Sequence, residues 1–177
     1  VNMQNIAITG VGGGVGQSVI KALQDTDYNI IGLDSECLAA GLYAVPNAAI
    51  LPYANSPDYI PTLLQICEEK KIALLFPGLD AELMPLAMNR DKFEAIGTKV
   101  IVSRPEVISI SEDKLETYNE LVKYGVNVPF TCLAKDYAPK KNDFPIILKQ
   151  KLGGARSKNV YFVKHHKDWE PTTLPLN

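Results

Sequence analysis

Gln4-Asn-Ile-Ala-Ile-Thr9-Gly10-Val-Gly12-Gly13-Gly14-Val-Gly16-Gln17-Ser-Val19-Ile20-Lys-Ala-Leu23 decides the fold class. A short β-prone run, 4–9, empties into a glycine loop. Gln17–Leu23 then places Val19, Ile20 and Leu23 on one helical face. Tyr28–Asp34 follows as an apolar run that ends on an acid. Strand, glycine loop, helix and strand make one βαβ unit. The pattern repeats downstream. Ala48–Leu51 reads as a short strand. Ser56-Pro57 reads as a helix start, with Ser as cap and Pro at the first helical position. Ile72–Phe76 is a third strand, Pro77–Asp80 turns into a helix running to about Ala95, and Lys99–Val102 closes the set. Strands alternating with helices predict an α/β fold built on a parallel, doubly wound sheet.

The glycines admit two readings. Gly10 and Gly12 begin a dinucleotide fingerprint, but Val15 stands at its third glycine and Gly16 comes one residue late. The loop is either a tight strand-to-helix turn or part of a ligand site with Gly12, Gly13 and Asp34. Asp80 also falls at a strand's carboxyl end, where open α/β sheets bind ligands. Asp80 otherwise caps the following helix, and Glu82 reads as a first-turn acid complementing the helix dipole.

Near residue 105 the organisation changes. Ser103-Arg-Pro-Glu106 fits a capping box. Ser111-Glu-Asp-Lys114 opens a longer helix that Gly125 ends. Phe130–Ala134 reads as a strand, and 137–143 as a polar surface loop. Two β-type runs, 146–148 and 160–163, then flank a basic loop of small residues. From Phe144 through Lys167 there are five Lys, one Arg and no Asp or Glu, in a chain of net charge −2. Lys149 at a strand end beside Gly153, Gly154 and Ser157 suits a polyphosphate; an exposed basic hairpin is the plainer alternative.

The bulk composition sets limits. With 177 residues, 46% hydrophobic and 21% charged, the chain is neither disordered nor a strongly basic nucleic-acid binder. No apolar run reaches the roughly 20 residues of a membrane span, and no signal peptide is read at the N-terminus. Cys37, Cys67 and Cys132 read as reduced thiols of a cytoplasmic protein. His165-His166 reads as a solvated pair rather than a metal site.

Together these segments resemble the ATP-grasp ligases. The resemblance rests on the order of a glycine-looped βα domain, Ser111-Glu-Asp-Lys114, Tyr124-Gly-Val-Asn-Val-Pro129, Ile146-Ile-Leu-Lys149 and Gly153-Gly154-Ala-Arg-Ser157. Ile8–Gly16 and Phe76–Leu83 look most like carbamoyl-phosphate-synthase large-subunit-like members. The resemblance implies a Rossmann-like pre-ATP-grasp domain over 1–105, the first α+β lobe of an ATP-grasp domain over 106–167, and an unstructured tail over 168–177. It implies ATP binding by Lys114, Lys149, Gly153, Gly154 and Ser157, and a small carboxylate substrate activated as an acyl phosphate for attack by an amine. Gln150, where proline is common, and Asn159, where glycine often follows the loop serine, depart from the pattern. Mg²⁺ ligands are expected on a second lobe, supplied by another chain or a longer one, so residues 1–177 alone are expected to be inactive. Self-association is compatible with an uncovered lobe face. Two other readings stand beside this one: an NAD(P)-binding oxidoreductase-like domain using the Gly10–Gly16 loop and Asp34, and a non-catalytic nucleotide-binding remnant.

Overall fold

The computed structural model describes residues 3–153 and 159–169. The chain forms two compact units, 1–105 and 106–177.

In the first unit, β1 (Asn5–Ile8), β2 (Asn29–Asp34), β3 (Asn47–Ile50), β4 (Ile72–Phe76) and β5 (Lys99–Val100) form one parallel sheet in the order β3-β2-β1-β4-β5. Helices α1 (Gly14–Leu23), α2 (Tyr59–Glu69), α3 (Asp80–Met88) and α4 (Arg90–Ala95) connect these strands. Alternation along the strands divides the core between the two sheet faces. Ile6, Ile8 and Ile30 pack with Val11, Leu42 and Ile20 of α1. Ala7, Ile31, Leu33 and Leu75 pack with Tyr59, Leu63 and Cys67 of α2, Leu86 of α3 and Phe93 of α4. Each fully buried Ile or Leu contributes about 1.5–3 kcal/mol relative to exposure. The fold class read from the sequence is therefore borne out: an α/β architecture on a parallel sheet.

The amino-terminal edge of the sheet carries a feature that the sequence reading did not include. The Asn47 amide donates to the Asn29 side-chain oxygen (3.1 Å), and the Asn29 amide donates to that of Asn5 (2.8 Å). Asn5 in turn donates to the carbonyl of Lys70.

Three local expectations need correction. The helix expected from Ser56-Pro57 starts at Tyr59, because the Ser56 hydroxyl accepts the Asp58 N–H in a local turn. The helix expected from Asp80 to Ala95 is broken at Asn89. There the Asn89 side chain takes the Pro85 carbonyl (2.9 Å), while its backbone N–H turns to Leu86. Residues 130–133 form no strand, and a 3₁₀ turn follows at Ala134–Asp136. In place of a strand partner, Phe130 packs its ring against Tyr118 and Tyr137.

The second unit contains α5 (Pro105–Glu112), α6 (Lys114–Lys123) and an antiparallel pair, β6 (Ile146–Lys149) with β7 (Val160–Val163). Asp113, not Ser111, caps α6: its carboxylate accepts the N–H groups of Leu115 (2.9 Å) and Glu116 (3.1 Å). Gly125 ends α6 with φ +72°, its N–H bonding Val122 while Val126 N–H bonds Leu121. This is the left-handed cap that a glycine makes without steric cost. Trp169 packs edge-on against Tyr137 and Phe144, so this part of the expected tail is packed. Residues 170–177 lie outside the described residues.

Candidate functional site

Each unit carries a group of residues with chemical potential. In the first, the glycine loop leaves β1 through Gly10, whose φ is +59°. A side chain at Gly16 would sit 2.5 Å from the Gly10 carbonyl oxygen, so this glycine lets α1 start close against the loop. These two glycines have structural roles. Asp34 has one as well: one of its oxygens accepts Gly12 N–H (2.7 Å), the other Glu36 N–H (2.9 Å). It therefore braces the loop with both oxygens. Gly13 closes the turn through its N–H to the Gly10 carbonyl (2.9 Å).

Asp80 is the first residue of α3 and exposed, and its side chain makes no capping bond. Glu82, expected as a solvated first-turn acid, is buried at 3% exposure. Its carboxylate accepts a hydrogen bond from the buried Thr9 hydroxyl (2.6 Å), and that hydroxyl accepts Gly78 N–H (3.2 Å). Burial pushes the Glu82 carboxyl above the ordinary range, against the opposing effect of the Thr9 bond. The same carboxylate and burial push the Tyr59 phenol well above its usual value. The Tyr59 hydroxyl is drawn electrostatically to Glu82 but closes a well-formed hydrogen bond with no described group. Glu82 and Tyr59 border a cavity of about 240 Å³ at the carboxyl edge of the sheet, with Asp34. Gly12, Gly13 and Asp80 do not line it. The helical spacing of Glu82 gave no sign of burial; its signal was indirect, an acid flanked by Leu79, Leu83 and Leu86 in an apolar helix.

In the second unit, α6 and β6 meet through their ends. Lys114 N–H donates to the Lys151 carbonyl (3.0 Å). The Lys114 ammonium donates to the Gly153 carbonyl (2.7 Å), just where the small-residue loop begins. Lys151 pairs with the other side of the Asp113 cap (2.9 Å), which holds the Asp113 carboxyl below its ordinary range and raises the Lys151 ammonium. β6 ends at Lys149, so the two lysines are not successive same-face positions of one strand. Lys149 is exposed and, among the described residues, has no side-chain partner. Strand alternation sets it beside Ile147, while β7 brings Val160 opposite Lys149 and Phe162 opposite Ile147. Ile147, Val160 and Phe162 are all exposed, which makes an uncovered apolar face with a cation at its end. Gly154 and Ser157 lie outside the described residues.

No group of three His, Cys, Asp or Glu among the described residues could hold a metal ion. No described helix is long and apolar enough to cross a membrane.

A family described as "PylC-like, N-terminal domain" matches residues 6–101. The carbamoyl phosphate synthase large chain of Campylobacter jejuni is 26% identical over 171 residues, covering 92% of this chain and 15% of that protein. Among solved structures, N5-carboxyaminoimidazole synthetase from Staphylococcus aureus, complexed with ADP, superposes with a TM-score of 0.67 at 18% identity. That match covers 93% of this chain and 42% of the other. The biotin carboxylase domain of the Hydrogenobacter thermophilus 2-oxoglutarate carboxylase, in complex with MgADP, ADP and bicarbonate, gives 0.64 at 16% identity, covering 95% and 39%. The chain thus spans well under half of the relatives it matches. These likenesses bear out the family resemblance read from the sequence.

Proposed function

The chain belongs to the PylC-like N-terminal domain family, and from that premise we propose that it forms the leading part of an ATP-dependent carboxylate–amine ligase of the ATP-grasp type. In this reading residues 1–105 are the pre-ATP-grasp domain and 106–167 the first nucleotide-binding lobe. Lys149, Lys114 and the 153–157 loop, with Gly153, Gly154 and Ser157, hold the ATP phosphates. The adenine side of the nucleotide lies along the face of Ile147 and Phe162. The ligase would phosphorylate a small carboxylate, and an amine would then displace the phosphate. What this chain contributes is charge neutralisation and positioning, the larger part of catalysis in phosphoryl transfer. In this reading the metal ligands come from a further lobe of the same or another chain.

The observation that carries this reading is the free Lys149 at the end of an uncovered apolar strand pair, beside a second lysine already reaching to the first residue of the loop. Against the dinucleotide alternative stands the glycine loop itself, in which Val15 takes the place of the third fingerprint glycine. Calorimetric titration tests the choice. ATP should bind more tightly than NAD or NADP, and Lys149→Ala should weaken ATP roughly tenfold or more, the loss of one charge-assisted bond of about 1.5–3 kcal/mol. Tighter NAD binding that disappears in Asp34→Ala would overturn the proposal.

A further inference from the structure

The 240 Å³ cavity of the first unit is unlike an ordinary packing void. Its apolar walls come from Leu51, Pro52 and Leu79, and among its polar lining residues, which include Ser35, Tyr53 and Asn55, three bear on its choice of guest: Asp34, Tyr59 and Glu82. Glu82 accepts a short bond from Thr9 at one oxygen, and its carboxylate is also drawn to the Tyr59 hydroxyl and to the Leu79 and Gly78 backbone. Asp34 spends both oxygens on backbone N–H groups, yet its negative charge remains. The Tyr59 hydroxyl, in a residue 1% exposed, leans toward Glu82 but completes no hydrogen bond of good geometry among the described residues. An unpaired buried hydroxyl costs about 1–3 kcal/mol, so folds rarely keep one without a use. No Lys, Arg or His lines the cavity. Two carboxylates without a cation repel anions and favour a positive guest. Among the described residues no three metal-ligating side chains come together here. The volume falls below the roughly 300 Å³ at which pockets begin to take drug-sized ligands.

We propose that this cavity binds a small primary ammonium compound. Its –NH₃⁺ donates to Glu82 and to the Tyr59 oxygen, and is further held by the charge of Asp34, while a short aliphatic stem lies against Leu51 and Leu79. The ammonium supplies three donors and no acceptor, which matches the unfilled acceptor capacity of Glu82 and Tyr59. The proposal needs only the first unit and stands whether or not the second binds nucleotide.

The test is an amide-shift NMR titration of the 177-residue chain with n-propylammonium chloride, at fixed pH and ionic strength, against 1-butanol and butyrate. Saturable shifts at Asp34, Ala81 and Glu82 are expected with the ammonium alone. Tyr59→Phe should fold, since it deletes only a hydroxyl that completes no hydrogen bond of good geometry, and should bind about tenfold more weakly, as for a lost bond to a charged group. Glu82→Gln should abolish binding. Absence of saturation with the ammonium, an equal response to 1-butanol, or an unchanged affinity in Tyr59→Phe would each overturn the proposal. The last would mean that the hydroxyl is met by water only.

Discussion

Replacing Thr9 by Val tests the buried network directly. Valine nearly matches threonine in shape, so packing changes little. Two bonds are lost. The hydroxyl no longer donates to Glu82 at 2.6 Å, and Gly78 N–H loses its acceptor at 3.2 Å. A hydrogen bond to a carboxylate is worth about 1.5–3 kcal/mol, and a buried N–H left unpaired costs about 1–3 kcal/mol. With allowance for relaxation, the expected loss is about 2–5 kcal/mol. Thr98→Val is the internal control. Thr98 is equally buried, but its hydroxyl makes one bond, to the Ile72 carbonyl at 2.7 Å. Its loss should cost about 1 kcal/mol. Urea unfolding followed by far-UV circular dichroism measures both. A double-mutant cycle of Thr9→Val with Glu82→Gln isolates the coupling, expected at about 1 kcal/mol or more. The reasoning is refuted if Thr9→Val costs no more than Thr98→Val, or if the cycle shows no coupling.

Other outcomes follow from the same geometry. Burial raises the Glu82 pKa above its ordinary 4.5, so the stability linked to its proton is whole below about pH 4.5 and is lost as pH rises through the folded-state value. The stability of the natural chain minus that of Glu82→Gln should therefore fall with rising pH in paired urea titrations; a rising difference would contradict the burial argument. Gly16→Ala puts a methyl group 2.5 Å from the Gly10 carbonyl and should cost about 1–3 kcal/mol by overpacking, read from the thermal midpoint. Lys151→Ala should destabilise the start of α6 while leaving ATP affinity nearly intact, whereas Lys149→Ala should do the reverse. Amide exchange at Leu115 and Glu116, set beside the ATP titration, separates the two.

What was legible in the sequence, and what was not, has physical reasons. β1, β2 and β4 were readable because strands buried on both sheet faces are short, unbroken apolar runs bounded by turn residues. The end of α6 was readable because Gly125 needs a left-handed backbone. The break at Asn89 was hidden because it depends on a side chain reaching back to Pro85, not on a change of hydrophobic period. The strand expected at 130–134 failed because a strand exists only with a partner, and the ring of Phe130 found Tyr118 and Tyr137 instead. In the first unit the sequence pointed to the carboxyl edge of the sheet and to Asp34, where the cavity lies, but not to the burial of Glu82 or to Tyr59. A carboxylate in a helix's first turn looks the same on paper whether it faces water or a buried threonine. The partner that decides the matter lies 73 positions away.

The asparagine ladder has a consequence for how this domain tolerates change. Asn5, Asn29 and Asn47 each open a strand, and every amide hands its hydrogen toward the next strand until the last reaches Lys70, just before β4. The lateral order of four strands is thus indexed at the edge opposite the glycine loop and the cavity. A residue gained or lost in the loops after β1, β2 or β3 leaves that index untouched. The back edge acts as a chassis and the front edge as exchangeable fittings, so a loop graft at the cavity should re-aim recognition without a new search for strand register.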